Sequence, residues 1–321
     1  MSKTKIKSLL IVIMTVAAVF LLSACNTQPE KTAGGTTFVG GTQGLAMEFI
    51  PEAPPDNVFD GGKFPFAVNI KLNNAGEWEI KSGSKITAEI SGIDPADFSL
   101  SAANLKKNPP QGMLPTRLDP NGQTIEGDIL VMDFPGFNYK GTLYGDVPAT
   151  IKADVCYGYG TKAVSKLCIK KDLSSKDTSV CAVTEDKTVS NSGAPVQVAS
   201  FKEAQGGTDK VIITMLLKHA GTGKIFEKDS QCVDKLEKKD RVYLKIDTGM
   251  GNLGIVCNGL QTQAGQPATG GEGYVVLYGG ERQITCTQPT GGQGDFEKTV
   301  SMTLEYDYNE YITKQITVKH V

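Results

Sequence analysis

The chain has 321 residues, 40 % of them hydrophobic and 21 % charged, with a formal net charge of −2. That length exceeds one typical β-sandwich and suits two modest domains, each able to bury a core. The balanced charge lacks the clustered basic surface of a nucleic-acid binder, and 36 glycines with well-used threonine and proline favour strands and tight turns over helices.

Lys3, Lys5 and Lys7 open the chain, and Ser8 to Ala24 then runs without a charge. A positive start followed by an apolar segment reads as the helix of an export signal. The run is short for a permanent span, which needs about 20 apolar residues. It ends in Leu22-Ser23-Ala24-Cys25. This tetrapeptide resembles the lipobox of prokaryotic membrane lipoproteins. The resemblance implies a signal peptide over 1–24, cleavage before Cys25 and a diacylglycerol on its sulfur. The acyl chains would hold the protein to the cell membrane, since each buried methylene contributes about 0.8 kcal/mol. Everything that follows would then be extracytoplasmic, at the cell surface or in the periplasm. Residues 25–44 carry Gly34-Gly35 and Gly40-Gly41 and no apolar period, as a flexible tether does.

Two segments then share one pattern. Phe66, Val68, Ile70 and Leu72 match Val211, Ile213, Met215 and Leu217, each set lining one face of a strand. The strands end in the corners Asn73-Asn74-Ala75-Gly76 and Lys218-His219-Ala220-Gly221. Further on, Ile151, Ala153, Val155 and Tyr157 match Val300, Met302, Leu304 and Tyr306, with Tyr159 over Tyr308 and Gly158 over Asp307. The offsets are 145 and 149 residues. One domain type is therefore expected twice, at 45–172 and 178–321, joined by a short polar link with some hinge freedom. The late segments read as closing β-hairpins, the first running from Thr150–Tyr159 back through Leu167–Ile169.

The six later cysteines are Cys156, Cys168, Cys181, Cys232, Cys257 and Cys286. An even count in an exported chain favours three disulfides. With no Cys-x-x-Cys pair and two histidines, His219 and His320, no metal site is expected. The hairpin reading sets Cys156 opposite Cys168, within bonding reach and facing away from the core. Cys181–Cys232 and Cys257–Cys286 are the favoured remaining pairs. Cys232 sits in a charged insertion, Phe226 to Asp240, longer than the matching loop of the first copy.

Asp247-Thr248-Gly249, after the strand Val242–Ile246, resembles the aspartic-protease motif. That chemistry needs two carboxylates sharing a proton, so two chains would each have to supply one. Met250-Gly251 departs from the usual following residues, and a strand-ending turn explains the motif. His219 is expected at an exposed corner and His320 in a fraying terminus. Asp94-Pro95 and Asp119-Pro120 read as proline-led turns rather than calcium sites. Tyr159, Tyr308 and Trp78 form a possible contact surface, because tyrosine gives large contact area at low entropy cost.

The corners after each apolar strand resemble the cell-adhesion-related domains of bacterial and archaeal surface proteins. The resulting expectation is an all-β protein: two tandem immunoglobulin-like β-sandwiches after a signal helix and tether. Its expected role is a non-catalytic surface lipoprotein that binds, adheres or spaces, without a cofactor. Its partners would be the membrane, through lipid on Cys25, and an envelope or extracellular protein or glycan. The alternatives are an exported hydrolase, as a dimeric aspartic protease using Asp247, and a surface-filament subunit.

Overall fold

Unbroken alternation dictates the two longest strands. From Val147 to Ile169 the residues Ile151, Ala153, Val155, Tyr157, Tyr159, Ala163 and Leu167 are buried on one face. From Phe296 to Lys319 the same holds for Val300, Met302, Leu304, Tyr306, Tyr308, Ile316 and Val318. A period of two that never changes phase gives the chain no place to turn. The computed structural model, which describes residues 37–83 and 85–321, makes each of these segments one strand, of 23 and 24 residues. The hairpins expected from the sequence are therefore absent. Gly158 and Gly160, near the middle of the first strand, have no positive φ.

The two long strands pair with each other antiparallel along their whole length, from Val147 against Val318 to Ile169 against Phe296. Tyr157 opposes Tyr308, Tyr159 opposes Tyr306, and Gly158 faces Asp307 at the centre. The sequence repeat thus becomes an internal two-fold, with its axis between Gly158 and Asp307. The contacts follow that symmetry. Tyr157 Oη accepts the Leu45 amide at 3.1 Å, and Tyr306 Oη accepts the Val196 amide at 3.2 Å. Tyr159 Oη bonds Asn74 Oδ1 at 2.9 Å, and Tyr308 Oη bonds His219 Nε2 at 2.8 Å. Gly76 and Gly221 lie against the Tyr159 and Tyr308 hydroxyls, where any side chain would collide.

The architecture is all-β. Leu45–Phe49, Phe66–Asn74 and Ile129–Phe137 form one antiparallel sheet. Glu185–Lys187, Val196–Gln205, Lys210–His219, Glu281–Pro289 and Val256–Asn258 form a second. Each supplies a buried face to the same continuous core as the central sheet built on the long strands. The central sheet is widened by Ile86–Ser91 on the first long strand and by Arg241–Asp247 on the second.

Each expected copy therefore borrows from the other. The second long strand carries Ile316 and Val318 into the first half, where Val318 pairs in parallel with Val58. The first long strand carries Ala163 and Leu167 into the second half. Thr37 to Val321 is one compact unit, with no separable bodies at 45–172 and 178–321. The expected hinge is also closed: a Cys168–Cys181 disulfide spans it, Lys170 is buried, and the Lys171 amide bonds Asp295 at 2.9 Å.

The signal segment, Cys25 and the tether to residue 36 lie outside the described residues. The end of the expected tether is fastened rather than free. The Val39, Gly40 and Gly193 amides all donate to the Glu77 carboxylate, at 2.9, 2.8 and 2.6 Å. Gly41 carbonyl accepts Gln197 Nε2 at 2.7 Å.

Candidate functional site

The outer face of the central sheet, where the internal axis passes, holds a hollow. Residues of even number on the first long strand and odd number on the second point there, away from the tyrosines. Gly158 and Gly160 leave that face bare, while Asp307 and Glu305 stand on it. Trp78, which follows the first corner, is half-buried and lays its indole over Gly160, where a Cβ would meet the ring at 2.7 Å. The main hollow, of about 210 Å³, is lined by Trp78, Lys81, Gly158, Lys228, Glu305 and Asp307 among others. A smaller one of about 110 Å³ adjoins it across Lys85, Gly158, Asp229 and Asp307, and reaches Cys156.

The far wall is the charged insertion, and the Cys156–Cys232 disulfide pins it to the first long strand. Cys156 does face outward from the core strand, as its parity requires, but its partner is not Cys168. The expected Cys156–Cys168 and Cys181–Cys232 pairs are replaced by Cys156–Cys232 and Cys168–Cys181. The reason is the missing hairpin: with the strand running straight, Cys156 and Cys168 lie far apart along it. Cys257–Cys286 joins adjacent strands as expected.

Asp307 holds the insertion from below. Its carboxylate accepts the Asp229 amide at 3.1 Å, the Gln231 amide at 2.6 Å and the Ser230 hydroxyl at 3.3 Å. Burial pushes this carboxyl above its usual range, against the pull of those donors. Asp229, Gln231 and Cys232 all take positive φ, at 61°, 56° and 52°. Left-handed conformations in non-glycine residues cost free energy and concentrate at functional sites. Lys85 bonds Asp229 at 2.5 Å, which raises the ammonium's pKa. Lys228 lies 4.2 Å from the Tyr243 ring centre and 3.5 Å from Glu305. The hollow therefore offers an indole wall, a bare backbone floor and a rim of alternating ammonium and carboxylate groups.

Of the expected contact surface, Trp78 belongs to this hollow. Tyr159 borders it but is buried, at 2 % exposed, and Tyr308 lies outside it at 0 %. Their rings pack edge-on against Tyr157 and Tyr306, in the middle of the core. Asp247 is exposed and closes its turn by accepting the Gly249 amide at 2.9 Å, while Thr248 bonds Gln288 at 2.7 Å. Asp119 accepts the Asn121 and Gln123 amides, and Asp94 accepts the Ala96 amide, as turn-closing residues. His219 is half-buried against Tyr308 rather than exposed, which lowers its pKa. His320 is clasped to Asp60, Nδ1 to Oδ2 at 2.8 Å, so the terminus is tied down rather than frayed. The role of Gly158 and Asp307 was missed in the sequence, although the repeat alignment set one over the other as the mismatch between two matched tyrosine pairs.

No protein family matches the sequence, and no curated protein matches it. Two bacterial proteins are among the solved structures that align over most of the chain. One is a serine-rich repeat adhesion glycoprotein from Streptococcus agalactiae, 7 % identical with a TM-score of 0.18, covering 89 % of this chain and 99 % of that one. The other is the collagen-binding domain of an Erysipelothrix rhusiopathiae surface protein, 8 % identical with a TM-score of 0.12, covering 86 % and 90 %. Scores this low do not establish a shared fold.

Proposed function

We propose that this chain is an exported, membrane-anchored binding module without catalytic activity, held by lipid on Cys25 and presenting the hollow over Gly158 to an extracellular ligand. The observation that carries the compartment is the pairing of Cys156, Cys168, Cys181, Cys232, Cys257 and Cys286 in three bridges. Such bridges persist in oxidising surroundings and are reduced in most cytosols. The lipobox-like Leu22-Ser23-Ala24-Cys25 supplies the anchor in this reading. The two halves serve as immunoglobulin-like sandwiches fused into one stiff body, with the fastened residues Val39–Gly41 setting where the tether leaves it.

Intact mass of the membrane-extracted protein, before and after reduction with alkylation, tests this. The expected result is a chain beginning at an acylated Cys25, with six thiols appearing only on reduction. An unprocessed mass, or free thiols before reduction, overturns the anchor or the compartment.

A further inference from the structure

Gly158 is not required by the fold. It sits mid-strand without a positive φ, and a Cβ there would meet only Asp307 Oδ1, at an ordinary 3.6 Å. Glycine inside a strand costs roughly 0.5–1 kcal/mol relative to alanine. Gly160, two residues on, is explained by the indole lying on it; Gly158 has only open space above it. A strand glycine of this kind marks a place where something else approaches the backbone closely. The symmetry sharpens the point. Where the first copy has no side chain, the second has a buried carboxylate, and the two face each other on the axis.

We infer that the hollow over Gly158 binds one neutral saccharide ring, with its C–H face on Trp78 and its hydroxyls on the charged rim. Three observations select this class. The lining carries the ammonium groups of Lys81, Lys85 and Lys228 and the carboxylates of Glu79, Asp229, Glu305 and Asp307, with Lys85 paired to Asp229 and Lys228 to Glu305, so a charged ligand meets groups of both signs rather than a cluster of the opposite one. Ammonium groups only donate and carboxylates only accept, whereas each sugar hydroxyl does both, so adjacent hydroxyls can satisfy a rim of mixed sign. The half-buried Trp78 indole gives an apolar surface at one side of the hollow, which suits a ligand with one apolar face. The main hollow, about 210 Å³, is small beside drug-sized pockets of roughly 300–1,000 Å³, and fits a ring better than a peptide strand. The pinned, strained insertion holds Lys228 and Asp229 in place before the ligand arrives, which lowers the ordering cost of binding. This inference deepens the binding reading above and rests on it.

Trp78 is the chain's single tryptophan, so its fluorescence reports on this wall alone. The full chain in detergent would be titrated with the methyl glycosides of glucose, galactose, mannose and N-acetylglucosamine. At least one should shift the emission saturably. Gly158→Leu, which fills the hollow, should weaken that binding by at least roughly tenfold with the melting temperature and three disulfides retained. Lys228→Ala, at a half-exposed rim position, should weaken it several-fold and guards against a folding defect in the leucine variant. Absence of a saturable shift with all four glycosides, or equal binding by Gly158→Leu, overturns the inference. A lysine tripeptide or methyl phosphate that saturates the shift where glycosides do not would assign the hollow to a charged ligand and overturn the saccharide class. A chain with the expected mass and bridges that binds no glycoside refutes this inference and leaves the anchored, exported reading standing.

Discussion

Asn74 is fully buried, and the hydroxyl of Tyr159 is the hydrogen-bond partner of its side-chain oxygen. Removing one partner of a buried polar pair exposes the other to the full desolvation cost. Tyr159→Phe should therefore destabilise the protein by about 1–3 kcal/mol in chemical denaturation. Glu203 is a second buried polar residue with consequences. It has no exposed surface, accepts the Cys168 amide at 2.9 Å and lies 3.5 Å from the buried Lys187, which also contacts Glu185. Burial raises its pKa from 4.5 to about 7, outweighing those partners. The folded chain then holds a proton that the unfolded chain has lost between these values, so this residue's contribution falls as pH rises from about 4.5 to about 7. Glu203→Gln should flatten that part of the stability–pH curve, measured as the difference between wild type and variant. Asp60 acts in the opposite sense at lower pH. The Leu143 amide and His320 hold its carboxyl below the usual range. Its contribution is present above about pH 3.8 and is lost as pH falls through its folded pKa, so Asp60→Asn should blunt acid unfolding. The sequence showed that Tyr157 and Tyr306 point inward. It did not show that the tyrosines two residues on are equally buried, because burial at Tyr159 and Tyr308 depends on the corner glycines packing over them.

At the scale of elements, the charged insertion shows how a loop acquires structure it could not hold alone. Residues 227–232 carry three left-handed non-glycine conformations and few apolar side chains. The Cys156–Cys232 bridge and three hydrogen bonds to Asp307 hold them. Replacing both cysteines by serine should cost about 2–4 kcal/mol. It should also open the backbone after Lys228 to trypsin, a cleavage that the intact protein should resist. The insertion was visible in the sequence by its charge and by its length beside the matching loop of the first copy. Its bridge was not, because pairing depends on whether the Cys156 strand turns back or runs on. The uniform period from Ile151 to Leu167 is that of a strand running on, but alternation alone also fits two shorter strands joined by a turn between Tyr159 and Leu167.

At the scale of the molecule, the long strands fuse the halves. Residues 308–319 complete the sheet of the first half, and residues 159–169 complete that of the second. A fragment of residues 37–172 should therefore lack cooperative unfolding and dispersed amide resonances. Co-expression with residues 173–321 should restore both, with the fragments held together by Cys156–Cys232 and Cys168–Cys181. Retention of a cooperative fold by the isolated fragment would show that the borrowed strand is dispensable.

The sequence by itself determined that the chain is all-β, that one pattern occurs twice, and which side chains of each repeat face inward. These follow from local alternation, which requires no knowledge of neighbours. It also contained a lysine-led apolar start and an even set of six cysteines after Cys25. Tertiary structure alone decided how the repeats combine, which cysteines meet, and that a glycine and an aspartate share the axis of symmetry. Those outcomes depend on distances between segments as far apart along the chain as Val147 and Val318, and a strand's pattern states which face is buried without stating what buries it.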